Sequence, residues 1–370
     1  MRRFLIVAVS LLAALPAAAA DMHDTSAGRV AVEKVVDGLS RPWSVAFLPD
    51  GGMLITERDD GTLLRFDANG VKQAEIEGVP EVSSAGQGGL FDVVLARDFA
   101  STRELFLSYA EPDGFKQRTA LAVARLSADG SRLENLRVIF RLQDSSDARV
   151  HFGGRIVEDS EGALFLTVGD RGKATRAQDP NAHNGKVIRI ARDGSIPADN
   201  PFANGPLLPQ IWSMGHRNPQ GAALDEKGRL WTVAHGARGG DEINQPRPGR
   251  NYGWPVISYG THYSGGKIGV GTEAAGMEQP KHYWDPSIAP SGMMIYSGKL
   301  FPAWKGDIFV GSLKFDHIAR LDRDDDRITG EEQLFTDAYI RIRDIREGPD
   351  GGIWFLSVGD GALFRATPAN

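Results

Sequence analysis

Residues with the chemistry of an enzyme site are concentrated in four short segments of this sequence. The first segment is VHFGGR, residues 150–155, in which His151 precedes a glycine pair. An imidazole exchanges protons near neutral pH, and glycines allow a ligand to approach the backbone closely. His151 is therefore a candidate proton acceptor. The alternative is a structural histidine at the start of a strand.

The second segment is GHRNPQG, residues 215–221, at the expected start of another strand. Arg217 can present its planar guanidinium to a carboxylate or to an oxygen that develops negative charge, and Asn218 can donate a hydrogen bond beside it. The alternative for Arg217 is an ion pair with a surface acid.

The third segment, HGARGGDEIN, covers residues 235–244 and is followed by GRNYGW. Calcium prefers carboxylate and carbonyl oxygens on flexible loops. The carboxylates of Asp241 and Glu242 and the carbonyls of Gly236 and Ala237 have this composition. The alternating acids of an EF-hand are missing. The alternative is a solvated acidic turn.

The fourth segment combines SLK, residues 312–314, with RIRD, residues 341–344. Because side chains alternate along a strand, Arg341 and Arg343 are expected on one side of it. Together with Lys314 they would form a basic cluster for an anionic ligand. The alternative is a pair of exposed arginines on an edge strand. The segment HYWDPSIAPSGM, residues 282–293, adds aromatic rings that we expect near the same face.

A recurring strand–turn–strand pattern is expected to position these segments. Its turns are often PDG or xDG, and the copies cover residues 43–57, 89–109, 155–168, 220–233, 293–310 and 344–356. Most copies are followed by a further predicted strand, as at 62–67, 120–127, 186–191, 317–322 and 362–366. Such a meander buries its faces only against neighbouring copies. The pattern predicts an all-β, six-bladed β-propeller of four-stranded antiparallel blades; the alternative is a β-sandwich. The inserts at 170–209 and 245–286 are expected to build one face of the disk.

The start of the chain and its composition limit the classes of function. Residues 1–20 have the basic start, apolar run and small residues of a cleaved secretory signal peptide, so we expect a periplasmic or secreted single domain over residues 21–370. No further segment has the apolar length of a membrane span. The chain contains no cysteine, which removes thiolate chemistry. Its net charge of −6, with scattered Lys and Arg, implies neither a nucleic acid nor a membrane partner.

Nine motifs in order carry a resemblance to a known family. They are GQGGLFDV, VHFGGRIV, VGDRG, GHRNPQG, HGARGGDEIN, NYGWP, APSGM, SLK and RIRDIREGPDG. From residue 43 to residue 364 the sequence resembles the soluble quinoprotein glucose/sorbosone dehydrogenases, and most closely their periplasmic aldose sugar dehydrogenase branch. The resemblance implies a six-bladed propeller that holds pyrroloquinoline quinone (PQQ) and calcium. It also implies oxidation of aldoses at the anomeric carbon to lactones.

The resemblance also implies a role for each matching residue. His151 matches the general base that takes the proton of the anomeric hydroxyl, while hydride passes to a quinone carbonyl carbon. Arg217 matches the arginine beside the reactive quinone oxygens. Asn218 matches a neighbouring cofactor contact, and Gln87 matches a glutamine on the substrate side.

The remaining matches concern the cofactor carboxylates and calcium. The residues that would pair with the PQQ carboxylates are Lys314, Arg341 and Arg343. The backbone carbonyls that would hold the cofactor's calcium are those of Gly236 and Ala237, next to His235 in the cofactor site. The residues at a further calcium site would be Asp241, Glu242 and Tyr252.

Three departures from the family pattern concern the substrate and cofactor contacts. Val150 stands where some relatives have an acid, and His235 where they have a glutamine. Tyr283 and Trp284 are shifted by one residue, which leaves open which ring covers the cofactor. Two other functions remain alternatives: a calcium-dependent propeller hydrolase or lactonase, and a noncatalytic binding propeller. The preferred sugar, the electron acceptor and the choice between monomer and homodimer stay open.

Overall fold

The computed structural model describes residues 20–369, which form strands joined by turns and loops with very little helix. The helical elements are one short α-helix, Phe99–Thr102, and two 3-10 helices, Ala174–Gln178 and Pro302–Trp304. The strands are, in chain order, β1 (Asp21–Thr25), β2 (Gly28–Val36), β3 (Pro42–Phe47), β4 (Met53–Glu57), β5 (Thr62–Phe66), β6 (Lys72–Glu75), β7 (Leu90–Leu95), β8 (Glu104–Asp113), β9 (Lys116–Leu126), β10 (Leu133–Arg141), β11 (Ile156–Glu158), β12 (Ala163–Val168), β13 (Lys186–Ala191), β14 (Ile211–Met214), β15 (Pro219–Leu224), β16 (Leu230–Ala234), β17 (Asp241–Asn244), β18 (His282–Trp284), β19 (Pro290–Ile295), β20 (Ile308–Ser312), β21 (Ile318–Asp324), β22 (Arg327–Leu334), β23 (Ile342–Glu347), β24 (Ile353–Ser357) and β25 (Ala362–Pro368).

These strands form six antiparallel sheets, which confirms the predicted six-bladed propeller. Blades 1 to 5 are β3–β6, β7–β10, β11–β14, β15–β18 and β19–β22. Blade 6 joins β23, β24 and β25 to β2 and β1 from the start of the chain. Because β2 pairs with β25, the two ends of the chain are fastened in one sheet, and the ring closes without an exposed break. The first strand, β1, makes this sheet five-stranded.

The core lies between the blades because each sheet has apolar side chains on both faces. A separate cluster of buried side chains fills each contact between neighbouring sheets, for example Phe165, Val187 and Leu230 between blades 3 and 4. Between blades 5 and 6 the cluster contains Phe309 and Phe355, both fully buried. Because both faces of a sheet are buried, a central strand such as β12 (ALFLTV) is buried along its whole length, and the repeated strand–turn–strand units predict the blades correctly.

The innermost strands of the blades are β3, β7, β11, β15, β19 and β23, and they surround the central channel. Residues that precede these strands gather at one end of the channel, whereas residues at their far ends, such as Phe47 and Glu347, line a second cavity of about 440 Å³. Short segments that are distant in sequence therefore meet at the first mouth.

Four charged side chains fill the channel between the two cavities, and we call them the ion ring: Asp92, Arg155, Asp344 and Arg346. Arg155 Nη1 lies 3.2 Å from an Asp92 oxygen and 2.9 Å from an Asp344 oxygen. Arg346 approaches the same carboxylates at 2.8 and 3.0 Å. The Ser44 hydroxyl donates to Asp92 at 2.6 Å. Two cations and two anions from three blades thus close the channel.

The predicted signal peptide, residues 1–20, lies outside the described residues except for Ala20. None of the helices within residues 20–369 combines the length and the apolar character needed to cross a bilayer.

Candidate active site

A cavity of about 460 Å³ occupies the channel mouth at which the innermost strands begin. Its lining includes six of the thirteen site residues predicted from sequence, and these six come from distant segments. The lining residues are Trp43, Arg58, Gln87, Phe91, Phe152, Gly153, Asn218, Gln220, His235, Ala289, Leu313, Lys314, Arg341 and Arg343. His151 and Arg217 are the chain neighbours of the lining residues Phe152 and Asn218.

Lys314, Arg341 and Arg343, which we call the cation cluster, line one side of this cavity. Arg341 Nη1 donates to the Leu313 carbonyl at 2.9 Å, and Arg343 Nη1 donates to Gln220 Oε1 at 3.0 Å. Within residues 20–369, none of the three cations has a carboxylate within ion-pair distance. The cluster therefore keeps its positive charge available for an anion.

The lowered pKa of Arg343 shows that the cations at this site repel each other. Burial lowers the pKa of Arg343 to about 9, and repulsion from Arg58, Arg155 and Arg341 acts in the same direction, with Asp344 opposing it. A bound carboxylate would relieve this repulsion. The cavity thus has the charge distribution of an anion site.

The reason given from sequence for the meeting of Arg341 and Arg343 is wrong. Strand β23 begins at Ile342, and Arg341 precedes it in a left-handed conformation with φ 59°. Its backbone N–H donates to Asp316 Oδ1 at 2.8 Å. A turn rather than strand alternation therefore brings the two arginines into one cavity.

His151 is held through its ring by a carboxylate that the sequence reasoning did not single out. Its Nδ1 lies 2.7 Å from Asp170 Oδ1, and Asp170 also accepts hydrogen bonds from the Gly172 N–H at 2.8 Å and from Trp254 Nε1 at 2.9 Å. Burial opposes ionisation of Asp170, but the hydrogen bonds and the His151 charge outweigh it and keep the pKa below its usual value. An ionised Asp170 accepts the Nδ1 proton, which leaves Nε2 as the basic nitrogen of His151. The VGDRG motif was the available signal for Asp170.

The backbone of His151 is fixed as firmly as its ring. His151 adopts φ 55°, and its N–H donates to Gln87 Oε1 at 2.8 Å. The neighbouring glycine of VGDRG has no room for a side chain, since a Cβ on Gly169 would lie 2.1 Å from the His151 carbonyl oxygen. The Gln87 amide oxygen is thus already used by the protein, and its nitrogen remains for a ligand.

Arg217, Asn218 and His235 join blade 4 to the histidine site. The Asp170 N–H donates to the Arg217 carbonyl at 2.8 Å, and Asn218 Oδ1 accepts from the Gly153 N–H at 3.1 Å. Burial lowers the pKa of His235 to about 3, and the nearby Arg343, Arg217 and His151 lower it further. His235 is therefore neutral, and it lies close to three groups that carry or can carry positive charge.

The predicted acidic loop is in part a strand, and this separates its two carboxylates. Asp241 and Glu242 begin β17, so their side chains point to opposite faces. Asp241 accepts hydrogen bonds from the Gly236, Ile288 and Ala289 N–H groups and from the Ser287 hydroxyl, at 2.7 to 3.1 Å. The structure thus uses Asp241 to connect two segments of the cavity wall, and its part in a calcium site stays a prediction.

Glu242 differs from its neighbour because it is poorly compensated. Burial raises the pKa of Glu242 to about 7; the Asn244 amide opposes this shift and the Asp241 charge adds to it. Within residues 20–369 no three or more His, Asp or Glu side chains cluster as metal ligands. The Tyr252 hydroxyl donates to the Gln245 carbonyl and accepts from the Arg247 N–H at 2.9 Å. Calcium binding at Glu242 and Tyr252 stays a prediction.

The aromatic rings of residues 282–293 do not line the cavity. Tyr283 stacks on Tyr259 with ring centroids 4.0 Å apart, and Trp284 Nε1 donates to Glu331 Oε1 at 3.0 Å. The rings that line the cavity are those of Trp43, Phe91 and Phe152.

Comparison with known proteins identifies the family of this chain. The family model for Glucose / Sorbosone dehydrogenase matches residues 39–365. The aldose sugar dehydrogenase YliI of Escherichia coli K12 is 43% identical over 374 residues, covering 99% of this chain and 98% of the relative. The apo crystal structure of the soluble aldose sugar dehydrogenase from Escherichia coli has a TM-score of 0.88 at 43% identity and covers 92% of this chain and 100% of that one. The PQQ-bound aldose sugar dehydrogenase from Streptomyces coelicolor has a TM-score of 0.77 at 25% identity and covers 91% of this chain and 98% of that one. This chain is a member of the glucose/sorbosone dehydrogenase family.

Proposed function

We propose that this protein is a PQQ-dependent aldose sugar dehydrogenase that oxidises the anomeric carbon of its substrate to a lactone. One observation carries the proposal: a cavity whose Lys314, Arg341 and Arg343 have no carboxylate partner among residues 20–369 adjoins a histidine whose ring is oriented by a buried carboxylate. The first feature suits an anionic cofactor, and the second suits removal of a proton from a sugar hydroxyl.

The residues present fit PQQ, which is a tricarboxylate. Arg341 and Arg343 would pair with its carboxylates, and Lys314 would add a charge at the exposed side of the cavity. Asn218 would contact the cofactor, and the guanidinium of Arg217 would lie beside the quinone oxygens. When bound, PQQ supplies a two-electron acceptor for the hydride of the anomeric carbon.

The chain's own contribution to the chemistry is the proton transfer. Asp170 fixes the Nδ1–H tautomer, so His151 Nε2 accepts the proton of the anomeric hydroxyl while that carbon loses hydride. Loss of one proton and one hydride converts a cyclic aldose into its lactone. The fixed charge of Arg217 stabilises negative charge that develops on a nearby oxygen. The Gln87 amide nitrogen remains to bind a sugar hydroxyl.

We also propose that calcium binds beside the cofactor through the carbonyl oxygens of Gly236 and Ala237, next to His235 in the wall. A further ion would bind at Asp241, Glu242 and Tyr252, where it would compensate the Glu242 carboxylate, which has no cation within ion-pair distance among residues 20–369. Calcium should then raise the melting temperature of the apoprotein more than that of Glu242→Gln, which keeps only the site at Gly236 and Ala237. An equal increase in both would remove Glu242 from the ligand set. A cleaved leader would place the enzyme in the periplasm or outside the cell.

The alternatives account less well for the cavity. A calcium-dependent hydrolase needs acids that converge on the ion, whereas Arg58, Lys314, Arg341 and Arg343 would repel a cation. A noncatalytic propeller gives no reason for unpaired cations beside an oriented imidazole.

The decisive experiment adds PQQ and calcium to the purified apoprotein, followed by a panel of aldoses and dichlorophenolindophenol as electron acceptor. Wild-type protein should reduce the dye in the presence of an aldose. His151→Ala should lower turnover by roughly 100-fold or more and leave PQQ affinity unchanged, because it removes only the base. The exposed His262→Ala is the matched control and should behave as wild type. Dye reduction by no aldose would refute the proposed function, and near-normal turnover of His151→Ala would remove this residue from the mechanism.

A further inference from the structure

Trp254, in the NYGWP motif, contacts the surroundings of the site in two ways. Its indole Nε1–H donates to Asp170 Oδ2 at 2.9 Å. The face of its ring lies 5.3 Å from the Arg217 guanidinium carbon, within the range of a cation–π contact. One side chain therefore touches the carboxylate that orients the base and the arginine placed beside the quinone oxygens.

We propose that Trp254 is a positioning residue that holds the His151–Asp170 pair and Arg217 in a fixed relation to each other. The inference deepens the proposed function and rests on it, because His151 and Arg217 have their roles only in that reaction. The backbone already links the two sides through the bond from the Asp170 N–H to the Arg217 carbonyl. Trp254 provides the corresponding link between the side chains.

On the Asp170 side, the indole fixes the plane of the carboxylate. Oδ1 faces His151 Nδ1 and the Gly172 N–H, and among the described residues Oδ2 accepts a hydrogen bond only from Trp254. Asp170 is fully buried at 1% exposure, so an unsatisfied Oδ2 is costly and allows the carboxylate to rotate. Rotation would misplace the His151 ring.

On the Arg217 side, an aromatic partner has an advantage over an acid. In the described part of the chain Arg217 has no carboxylate within ion-pair distance, and its Nη1 makes only a long hydrogen bond of 3.4 Å to the His235 carbonyl. A carboxylate would cancel the charge that the reaction uses, whereas a ring face restrains the guanidinium and leaves it positive. Trp254 therefore orients Arg217 without neutralising it.

The indole is itself held in place by a loop of blade 3. Gln178 Nε2 donates to the Trp254 carbonyl at 2.8 Å and to Asn251 Oδ1 at 3.0 Å, and Asn251 donates back to Gln178 at 2.7 Å. The 3-10 helix that ends at Gln178 is itself held by a buried hydrogen bond, which the Lys186 ammonium donates to the Ala177 carbonyl at 3.0 Å. Loosening Gln178 should therefore affect the same functions as altering Trp254, to a smaller degree.

Two substitutions separate the two contacts. Trp254→Phe keeps an aromatic ring beside Arg217 and removes the N–H donor to Asp170. Trp254→Leu removes both. A third variant, Gln178→Ala, leaves the indole intact and removes its anchor, so it keeps the test open if either Trp254 variant unfolds. Circular dichroism and thermal melting establish the folded state of each variant.

The first measurement uses the apoprotein and follows the His151 imidazole by NMR as the pH is changed, with His151→Ala assigning the signal. Without the indole donor, the Asp170 carboxylate can rotate, and the hydrogen bond between His151 Nδ1 and Asp170 Oδ1 loosens. The Nδ1–H signal of His151 should therefore broaden and exchange faster with water in Trp254→Phe and Trp254→Leu, and less so in Gln178→Ala. The other ionisable groups at this end of the cavity, Arg217, His235 and Arg343, are unchanged in all variants.

The second measurement compares PQQ affinity and turnover. Trp254→Phe should lower kcat by about 10-fold, with PQQ affinity within twofold of wild type. Trp254→Leu should in addition weaken PQQ binding by about fivefold, because Arg217 loses its ring partner. An unchanged His151 Nδ1–H signal in Trp254→Phe, or equal PQQ affinity in the Phe and Leu variants, would overturn the proposal. The NMR measurement needs neither cofactor nor sugar, so it separates a failure of this inference from a failure of the proposed function.

Discussion

Arg343 and Arg346 lie three residues apart on the innermost strand of blade 6, and the fold treats their charges in opposite ways. Arg346 belongs to the ion ring and lies between two carboxylates, at 2.8 Å from Asp92 and 3.0 Å from Asp344. Burial opposes its charge, but attraction to these acids prevails and raises its pKa. Arg343 belongs to the cation cluster, has no carboxylate within ion-pair distance in the described part of the chain, and has a lowered pKa.

The comparison shows that some buried charges of this protein stabilise the fold, whereas others are available to bind a ligand. In the ion ring each cation meets two anions, so the protein itself compensates the cost of removing these groups from water. In the cation cluster that cost is left uncompensated, and positive side chains repel each other in a cavity. Such an arrangement is expected only where a ligand supplies the missing anion. The cation cluster at one end of the channel thus indicates a binding site, and the ion ring in the middle of the channel indicates a stabilising role.

The largest expected effect follows from breaking the ion ring with Asp92→Asn. The substitution leaves Arg155 and Arg346 with one carboxylate between them, in a site where Asp92 is 0% exposed. An uncompensated buried charge should lower the free energy of unfolding by about 3–5 kcal/mol. Urea unfolding of the apoprotein measures this loss.

The control for this prediction is Asp325→Asn, which breaks ion pairs with Lys227 and Arg229 on the surface. Asp325 has a side-chain exposure of 52%, so water and salt screen the pair, and the unfolding curve should hardly move. If both variants gave the same small change, the ion ring would not be a stabilising structure, and the contrast with the cation cluster would fail.

The second effect concerns ligand affinity and comes from Arg343→Gln in the cation cluster. Hydrogen bonds to charged groups contribute roughly 1.5–3 kcal/mol, so PQQ affinity should fall about 10- to 100-fold. Stability of the apoprotein should stay the same or increase, because repulsion from Arg58 and Arg341 is removed. Titration of PQQ and urea unfolding on the same samples measure both quantities.

Arg343→Lys is the matched variant for this prediction, since it keeps the charge and loses the fork of the guanidinium. Its affinity for PQQ should lie between those of wild type and Arg343→Gln. A loss of stability as large as that of Asp92→Asn, with PQQ affinity unchanged, would place Arg343 among the structural charges.

The fold was predictable from sequence because its signals are local and repeated. Short apolar runs indicate the strands, PDG and related turns indicate where strands reverse, and six copies indicate the ring. Gln87, His151 and Arg217 each precede an innermost strand, so correct placement of the repeats already brought them to one mouth. What the pattern did not provide was the two strands from the start of the chain: β2, which pairs with β25 and closes the ring, and β1, which makes the sheet of blade 6 five-stranded.

Parts of the site were not predictable because they depend on local departures from regular structure. Arg341 reaches the cavity through a left-handed residue, and Asp241 and Glu242 are divided by a strand that a glycine-rich segment did not reveal. Asp170 and Trp254 matter through hydrogen bonds between residues far apart in sequence, and no spacing rule indicates such a contact. Side-chain partners thus distinguish a functional charge from a structural one, as they do for Arg343 and Arg346.

The smallest expected effect comes from Lys314→Met. It tests whether an exposed cation of the cluster contributes less to PQQ affinity than a buried one. Lys314 is exposed, and its Nζ lies over the Phe315 ring at 4.6 Å from the centroid, so it acts as a point charge in contact with water. Its loss should weaken PQQ binding only about two- to fivefold, or roughly 0.5–1 kcal/mol. Because the Debye length falls to about 3 Å at 1 M salt, this difference should vanish in 1 M NaCl. The loss caused by Arg343→Gln should persist there, since Arg343 is 8% exposed and is shielded from salt.

The exposed Lys267→Met, which removes the same charge outside the cavity lining, should leave PQQ affinity unchanged at either salt concentration. A loss at Lys314 that equalled the loss at Arg343, or that survived high salt, would show that the two cations contribute alike despite their different burial.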